Sequence, residues 1–373
     1  MYYHLILTEF CHRKCTYCYE KSMNPQEFEI KNDNLQFDES APTKSEVTVK
    51  QLDAFLKKDD VLIFYGGEPL IEIPKMQEIM DFFGDKIQYR MQTNGLLLDR
   101  LPYKYLKQIR KILISIDGNK KRTDHNRGIG NYDRVLKNIK KIREEGYTGE
   151  LVARMTIARE FPDVYNSVRS IIRLVNKGLF DSVHWQIDAG FYKADFEEVN
   201  FTKFIEQYNT SITRLMKWWI TQMKKGKIYK LYPFIGISES VLRQEKTSMR
   251  CGAGHTGFAI TTNGMISACP VTNAVKTFYA GNVNEASESI KPMTVQGDCL
   301  QCSYLDLCGG RCLYQNYARL WPKMGNALIC QSVKHLIDAV KKKQPLLQAL
   351  IDKKMISLKD FSYEKYFGPE IIP

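Results

Sequence analysis

Six short apolar runs alternate with amphipathic stretches along the first half of the chain. That alternation limits the fold more than any other feature. The runs are His4–Thr8, Val61–Tyr65, Ile87–Gln92, Ile112–Ile116, Leu151–Thr156 and Val183–Ile187. Each has the length and composition of a strand, whereas the stretches between them, such as Lys75–Phe83 and Asn131–Glu145, repeat apolar residues at helical spacing. Strand and helix in turn predict parallel βα units, so the expected fold class is α/β. Several runs end on small or polar residues: Gly66-Gly67-Glu68, Thr93-Asn94-Gly95 and Asp117-Gly118. Ligand sites in parallel α/β folds gather at such strand ends.

Composition narrows the class further. With 373 residues the chain can bury a large core without disulfides. Its 44% hydrophobic and 26% charged content excludes a disordered or fibrous protein. No apolar run reaches about 18 residues, so no membrane span is expected. Met1–Phe10 carries Glu9 and no basic leader, so no secretory signal is expected and a cytoplasmic location follows. Ten cysteines in a reducing compartment point to metal or redox chemistry. The net charge of +12 comes from scattered lysines, which read mostly as solvated helix faces. Its functional reading is attraction to an anionic partner such as an acidic peptide. No basic, aromatic-interleaved motif supports a nucleic-acid partner.

The cysteines fall into two groups. Cys11, Cys15 and Cys18 form a C-x3-C-x2-C run directly after the first strand. Three thiolates on one loop can hold three irons of a [4Fe–4S] cluster and leave the fourth open to a ligand. The alternative is a zinc loop completed by His4 or His12. In the second group, Cys251 is followed by Gly264 after twelve residues and by Cys269 four residues later. Cys299, Cys302, Cys308 and Cys312 then follow with gaps of two, five and three, and Cys330 closes the set.

The run with Tyr17 before its third cysteine resembles the signature of the radical SAM enzymes. Gly66-Gly67-Glu68-Pro69, Thr93-Asn94-Gly95 and Ser115-Ile116-Asp117-Gly118 are similar, in order, to that family's later motifs, and the spaced His125, Arg127 and Gly130 also match. The resemblance covers residues 1–195 and implies a partial (β/α)6 TIM-like barrel. Residues 251–345 resemble the SPASM module, which implies two auxiliary clusters. The family's crossed ligation would give Cys299, Cys302, Cys308 and Cys330 to the distal cluster, and Cys251, Cys269 and Cys312 to the proximal one. Three [4Fe–4S] clusters and S-adenosylmethionine (SAM) are therefore the expected cofactors. Residues 196–250 read as a helical linker with Trp218 and Trp219 as packing anchors, 346–373 as a tail, and 21–50 as a polar insertion.

The resemblance also implies roles. Tyr17 would lie by the adenine. Gly66 and Gly67 would let the backbone approach the methionine, with Pro69 in the same motif and Glu68 as an extra acceptor for the amine. Asn94, Ser115, Asp117 and Arg154 would serve SAM as well, although Arg154 has a second reading as a barrel salt-bridge residue. Gln186 and Asp188 close the sixth strand and could face the substrate. Asp188 is a candidate base if burial raises its pKa, and otherwise a solvated loop aspartate. The proximal cluster lacks a fourth cysteine in 238–250, so a substrate thiol, His255, a carboxylate or water would complete it.

The expected activity is radical modification of a peptide or protein side chain, with thioether formation from a cysteine favoured. Sulfatase-type oxidation of cysteine or serine, and dehydrogenation of a non-peptide substrate, are the enzymatic alternatives; an iron–sulfur electron carrier is the non-enzymatic one. A flavodoxin or ferredoxin would donate electrons. Because the cysteine run begins at residue 11, no leader-binding domain is expected ahead of it.

Overall fold

A computed structural model describes residues 1–18, 35–191 and 195–367. The first part of the expected insertion, 21–34, and the last residues of the tail lie outside them. The six expected strands are present as β1 (Tyr2–Thr8), β2 (Val61–Gly66), β3 (Gln88–Thr93), β4 (Ile109–Ser115), β5 (Glu150–Ile157) and β6 (Ser182–Ile187). Between them run α1 (Val49–Phe55), α2 (Ile73–Phe83), α3 (Tyr103–Leu106), α4 (Lys120–Arg127), α5 (Asn131–Glu144) and α6 (Val164–Val175). Each strand of β1–β6 pairs in parallel with the next. The fold is therefore mixed α/β, with a partial TIM-like barrel at its centre.

The sheet does not stop at the expected boundaries. Within 196–250, α7 (Glu198–Met223) and α8 (Tyr232–Arg243) flank a two-residue strand β7 (Lys230–Leu231) that joins β6 in parallel. On the other side β8 (Gly257–Ile260) pairs in parallel with β1, and β9 (Met265–Ser267) and β10 (Tyr279–Asn282) add antiparallel strands. One ten-stranded sheet results, in the order β10-β9-β8-β1-β2-β3-β4-β5-β6-β7. The helices α9 (Leu305–Cys308), α10 (Leu313–Ala318), α11 (Lys323–Lys341) and α12 (Gln344–Asp352) complete the chain, with α11 lying along α7.

Alternation along the strands sorts the core. Tyr3, Leu5 and Leu7 of β1 join the large cluster under the helices. Ile63, Leu113 and Val152 form a separate cluster with Tyr232 and Phe367, and Ile6, Tyr65 and Ala259 form another. These two fill the concave side. Trp219 is fully buried in the helix layer, whereas Trp218 is half-buried with the Arg169 guanidinium 4.5 Å from its ring.

The tail has a defined role at the amino-terminal end of the strands. Glu364 meets Arg90 at 2.8 Å and Lys111 at 3.0 Å, and Lys111 also meets Glu150 at 3.0 Å. Arg90 and Lys111 are buried in the sheet, so these carboxylates neutralise charges that water does not reach. The opposite, carboxyl-terminal strand ends remain open, and the site lies there.

Candidate active site

The cysteine loop leaves β1 at Thr8 and is tied down by backbone bonds. Gly67 N–H donates to Thr8 O at 2.8 Å and Glu68 N–H to Phe10 O at 2.9 Å. A Cβ on Gly66 would lie 2.2 Å from Thr8 O, and one on Gly67 would lie 2.4 Å from Glu9 O. Gly66 also has φ +134°. The glycines are thus needed for close packing of the β2 end against the cysteine loop, a constraint the sequence reading had placed on the methionine of SAM. Cys11, Cys15 and Cys18 line one cavity with Gly66, Gly67 and Asn94. Burial pushes the Cys11 thiol up to about 12, the Arg13 N–H opposes this, and Glu68, Cys15 and Cys18 add to the rise. Asn94 Nδ2 donates to Cys11 Sγ at 3.8 Å.

The Glu68 side chain is engaged by the protein itself. It is fully buried and absent from the cavity wall. Its carboxylate accepts from Thr93 Oγ1 at 2.7 Å, Asn94 N at 2.8 Å and Leu70 N at 3.1 Å. Burial raises its pKa to about 7 against the pull of these donors. Glu68 therefore shapes the strand-end turns that present Asn94, and Pro69, also buried, starts the short 3-10 turn behind it.

Asp117 likewise sits behind the wall. It takes Arg127 Nε and Nη2 at 3.0 Å each, Asn126 Nδ2 at 3.1 Å and Thr156 N at 2.9 Å. The Tyr17 hydroxyl donates to its Oδ2. The Arg127 guanidinium lies 5.3 Å from the Tyr17 ring centre, and Thr16 N donates to Asn126 O at 3.0 Å. This knot fastens the cysteine loop to α4 and β5, and Tyr17 reaches the cavity from it.

The far wall carries Ser115, Arg154, Gln186 and Asp188. Register places Ser115 beside Arg154 and Arg154 beside His184. Arg154 Nη1 lies 2.7 Å from His184 Nδ1, and Nη2 donates to Gln186 Oε1 at 2.8 Å. His184 is fully buried, and the sequence reading missed it because one histidine in an apolar strand carries no signal. Burial lifts Asp188 to about 7; Asp195 adds to the rise and Arg159 opposes it.

The second cysteine group divides in space. Cys251, Cys269 and Cys312 line the same cavity as the first three. Burial raises Cys269 first, followed by the fields of Cys312 and Cys251. Cys299, Cys302, Cys308 and Cys330 lie away from the cavity wall. Burial raises Cys299, with Cys330 and Cys302 next in effect, and lifts Cys308 to about 11, with Cys330 and Cys299 in range. Neighbouring thiols thus form sets of three, three and four. Among the described residues, no group of His, Cys, Asp or Glu is close enough to hold a single metal ion. A cubane cluster spaces its thiolates more widely than one ion does, and all-thiolate sets suit iron–sulfur chemistry.

None of the expected histidine ligands lines the cavity: His12, next to Cys11 on the loop, is exposed. His4 is buried in β1 with its ring 5.4 Å from Tyr65, and burial lowers it to about 4. His255 is exposed beside Tyr366 and does not line the cavity. The cavity's other carboxylate, Glu9, accepts from Asn273 Nδ2.

Three thiols on a loop clamped at the carboxyl ends of parallel strands form the frame of a radical SAM domain. The Radical SAM superfamily signature matches residues 5–166, and this part of the chain is such a domain, with the [4Fe–4S] cluster and SAM that the class implies. The chain is an enzyme of that chemistry. An uncharacterized protein of Archaeoglobus fulgidus is 25% identical over 88% of this chain and 78% of its own length. The radical SAM cyclopropyl synthase TigE of Paramaledivibacter caminithermalis is 23% identical over 83% and 67%. Among solved structures, anSMEcpe with bound AdoMet and Cp18Cys peptide matches 94% of this chain and 99% of its own, with TM-score 0.67 and 18% identity. SuiB of Streptococcus suis bound to its precursor peptide SuiA matches 83% and 71%, with TM-score 0.53 and 15% identity. These likenesses show a shared fold. No helix among the described residues is long and apolar enough to cross a membrane.

Proposed function

We propose that this enzyme modifies a cysteine-containing peptide or protein, forming a thioether, and that residues 251–345 are a SPASM-type module with two auxiliary clusters. One observation carries the reading: Cys11, Cys15 and Cys18 share a cavity with Cys251, Cys269 and Cys312. The second three stand with no histidine on the wall, and Glu9 is occupied by Asn273. A substrate thiol is then the natural fourth ligand there. That relatives by fold were solved with a peptide or a precursor peptide bound supports a peptide substrate.

SAM bound at a cluster on Cys11, Cys15 and Cys18 supplies a 5′-deoxyadenosyl radical. The protein's task is to hold and aim. Tyr17, Asn94, Ser115 and Arg154 bound the space beside the first three thiols. His184 and Gln186 keep the Arg154 fork oriented. In the reaction, the acceptor carbon loses a hydrogen atom to the radical and gains the C–S bond. The thiol proton passes to Asp188, whose raised pKa of about 7 suits a base at neutral pH. A flavodoxin- or ferredoxin-class donor would supply the electron for SAM cleavage, and the electron left by C–S bond formation would return to such a carrier.

Oxidation of a cysteine or serine to an aldehyde is a second reading, supported by the nearly end-to-end match to anSMEcpe. The test is iron content after anaerobic reconstitution, with reductive SAM cleavage run on wild type and Cys15→Ala. About twelve irons per chain, with 5′-deoxyadenosine from the wild type alone, is the expected result. About four irons would remove the auxiliary clusters and the thioether with them. With candidate peptides, a thioether blocks thiol alkylation, whereas an aldehyde reacts with hydroxylamine.

A further inference from the structure

Arg311 is a cation without an anion. It lines the cavity beside Cys312, and its Nε is buried with no hydrogen-bond partner. No carboxylate pairs with it among the described residues. Its backbone has φ +56°, a left-handed conformation rare for arginine, after Gly309 at +70° and Gly310 at +95°. In sequence that turn lies between Cys308 of the other set and Cys312 of the cavity-lining set. The Arg311 guanidinium lies within electrostatic range of Cys308 and Cys330 of that other set, as Lys334 does of Cys330. A half-buried guanidinium lacking a carboxylate is costly unless another anion stands near it. An iron–sulfur cubane held by thiolates is net anionic, and the potential of such clusters depends on local charge.

We infer that Arg311 is the shared counter-cation of the two cysteine sets of the carboxyl-terminal half, raising the reduction potential of the clusters held there. It is a positioning and tuning residue; it makes no bond to iron. The inference rests on the auxiliary-cluster reading above. A cation favours the more negative, reduced form of a nearby cluster, so its removal shifts the midpoint downward. A left-handed backbone favours glycine, so Arg311→Gly removes the charge while relieving strain, and that variant is expected to fold.

The experiment is an EPR-monitored redox titration of reconstituted wild type, Arg311→Gly, Arg311→Gln and Arg311→Lys, with iron counted in each. The expected result is full iron in all four and a lower auxiliary-cluster midpoint in the Gly and Gln variants. Arg311→Lys should return the midpoint toward wild type, and the SAM-binding cluster should not move. Unchanged auxiliary midpoints in Arg311→Gly at full iron would overturn the inference while leaving the auxiliary clusters in place. Wild type with iron for one cluster only would instead overturn the reading on which it rests.

Discussion

The knot behind the cysteine loop sets a measurable energy. Asp117 is fully buried, and its partner Arg127 has a side chain 7% exposed. Asp117→Asn keeps the shape but removes the charge. It also places an NH2 group against donors, because Oδ1 accepts from Arg127 Nη2 and Thr156 N while Oδ2 accepts from Arg127 Nε, Asn126 Nδ2 and Tyr17. Breaking a buried pair from one side costs about 3–5 kcal/mol. An unfolding entropy of about 2.1 cal/mol/K per residue converts ~4 kcal/mol into a fall of about 5 °C in melting temperature for a chain this long. Removing both charges in Asp117→Asn with Arg127→Gln should cost far less than the sum of the single changes, since neither leaves an unpaired ion. The same loosening frees Thr16 and Tyr17, so iron at the first site should fall in Asp117→Asn while iron at the auxiliary sites proposed above stays. Thermal melting, a double-mutant cycle and cluster-resolved iron spectroscopy read all three. Additive single costs, or wild-type melting and iron in Asp117→Asn, would refute the knot as the clamp of the loop.

Other consequences follow from the same contacts. Glu364→Gln strips the charge that Arg90 and Lys111 share; Lys111 keeps Glu150, so the loss should sit near the lower end of about 3–5 kcal/mol, read by melting. Burial raises the Glu364 pKa, but Lys111 and Arg90 outweigh it and hold the group below the usual range, as Lys111 does for Glu150. Their stabilisation is therefore complete above the ordinary glutamate pKa and is lost as pH falls through the lower folded values, which an acid titration of melting temperature would show. In the base role proposed above, Asp188 has the opposite sign: it works when ionised, so turnover on a peptide substrate should fall as pH drops through about 7, and Asp188→Asn should flatten that limb. Gly67→Ala puts a methyl against backbone carbonyls at 2.4 and 2.5 Å, so it should abolish cluster assembly at the first site, read as lost iron and lost SAM cleavage.

Local pattern and long-range contact divide what the sequence could reveal. The strands β1–β6 were legible because side-chain periodicity is a local property, whereas the division of the thiols into sets came only from the resemblance and its crossed ligation. The short β7 gave no periodicity, since two residues cannot show one. The pairing of β8 with β1 joins residues more than 250 positions apart, and no local pattern records it. The same holds for Glu364 of the tail, whose partners lie on β3 and β4.

The motif residues show a subtler limit. The resemblance implies cofactor contacts at Gly66, Glu68 and Asp117; the Glu68 and Asp117 side chains are held by Thr93 and Arg127, and Gly66 lines the cavity with the space of a side chain filled by Thr8. A resemblance marks which positions matter without saying whether they touch the ligand or hold what does. Buried ion pairs and missing Cβ atoms fix a loop to within fractions of an ångström, and catalysis at an open metal site depends on such fixing. Arg311 is the converse case, drawing no notice in the sequence beyond the two glycines before it. Its buried Nε without a partner and its left-handed backbone become visible only in three dimensions, where they point to an anion beside the thiols. The wall residues that need testing are accordingly those whose charge the protein leaves unbalanced.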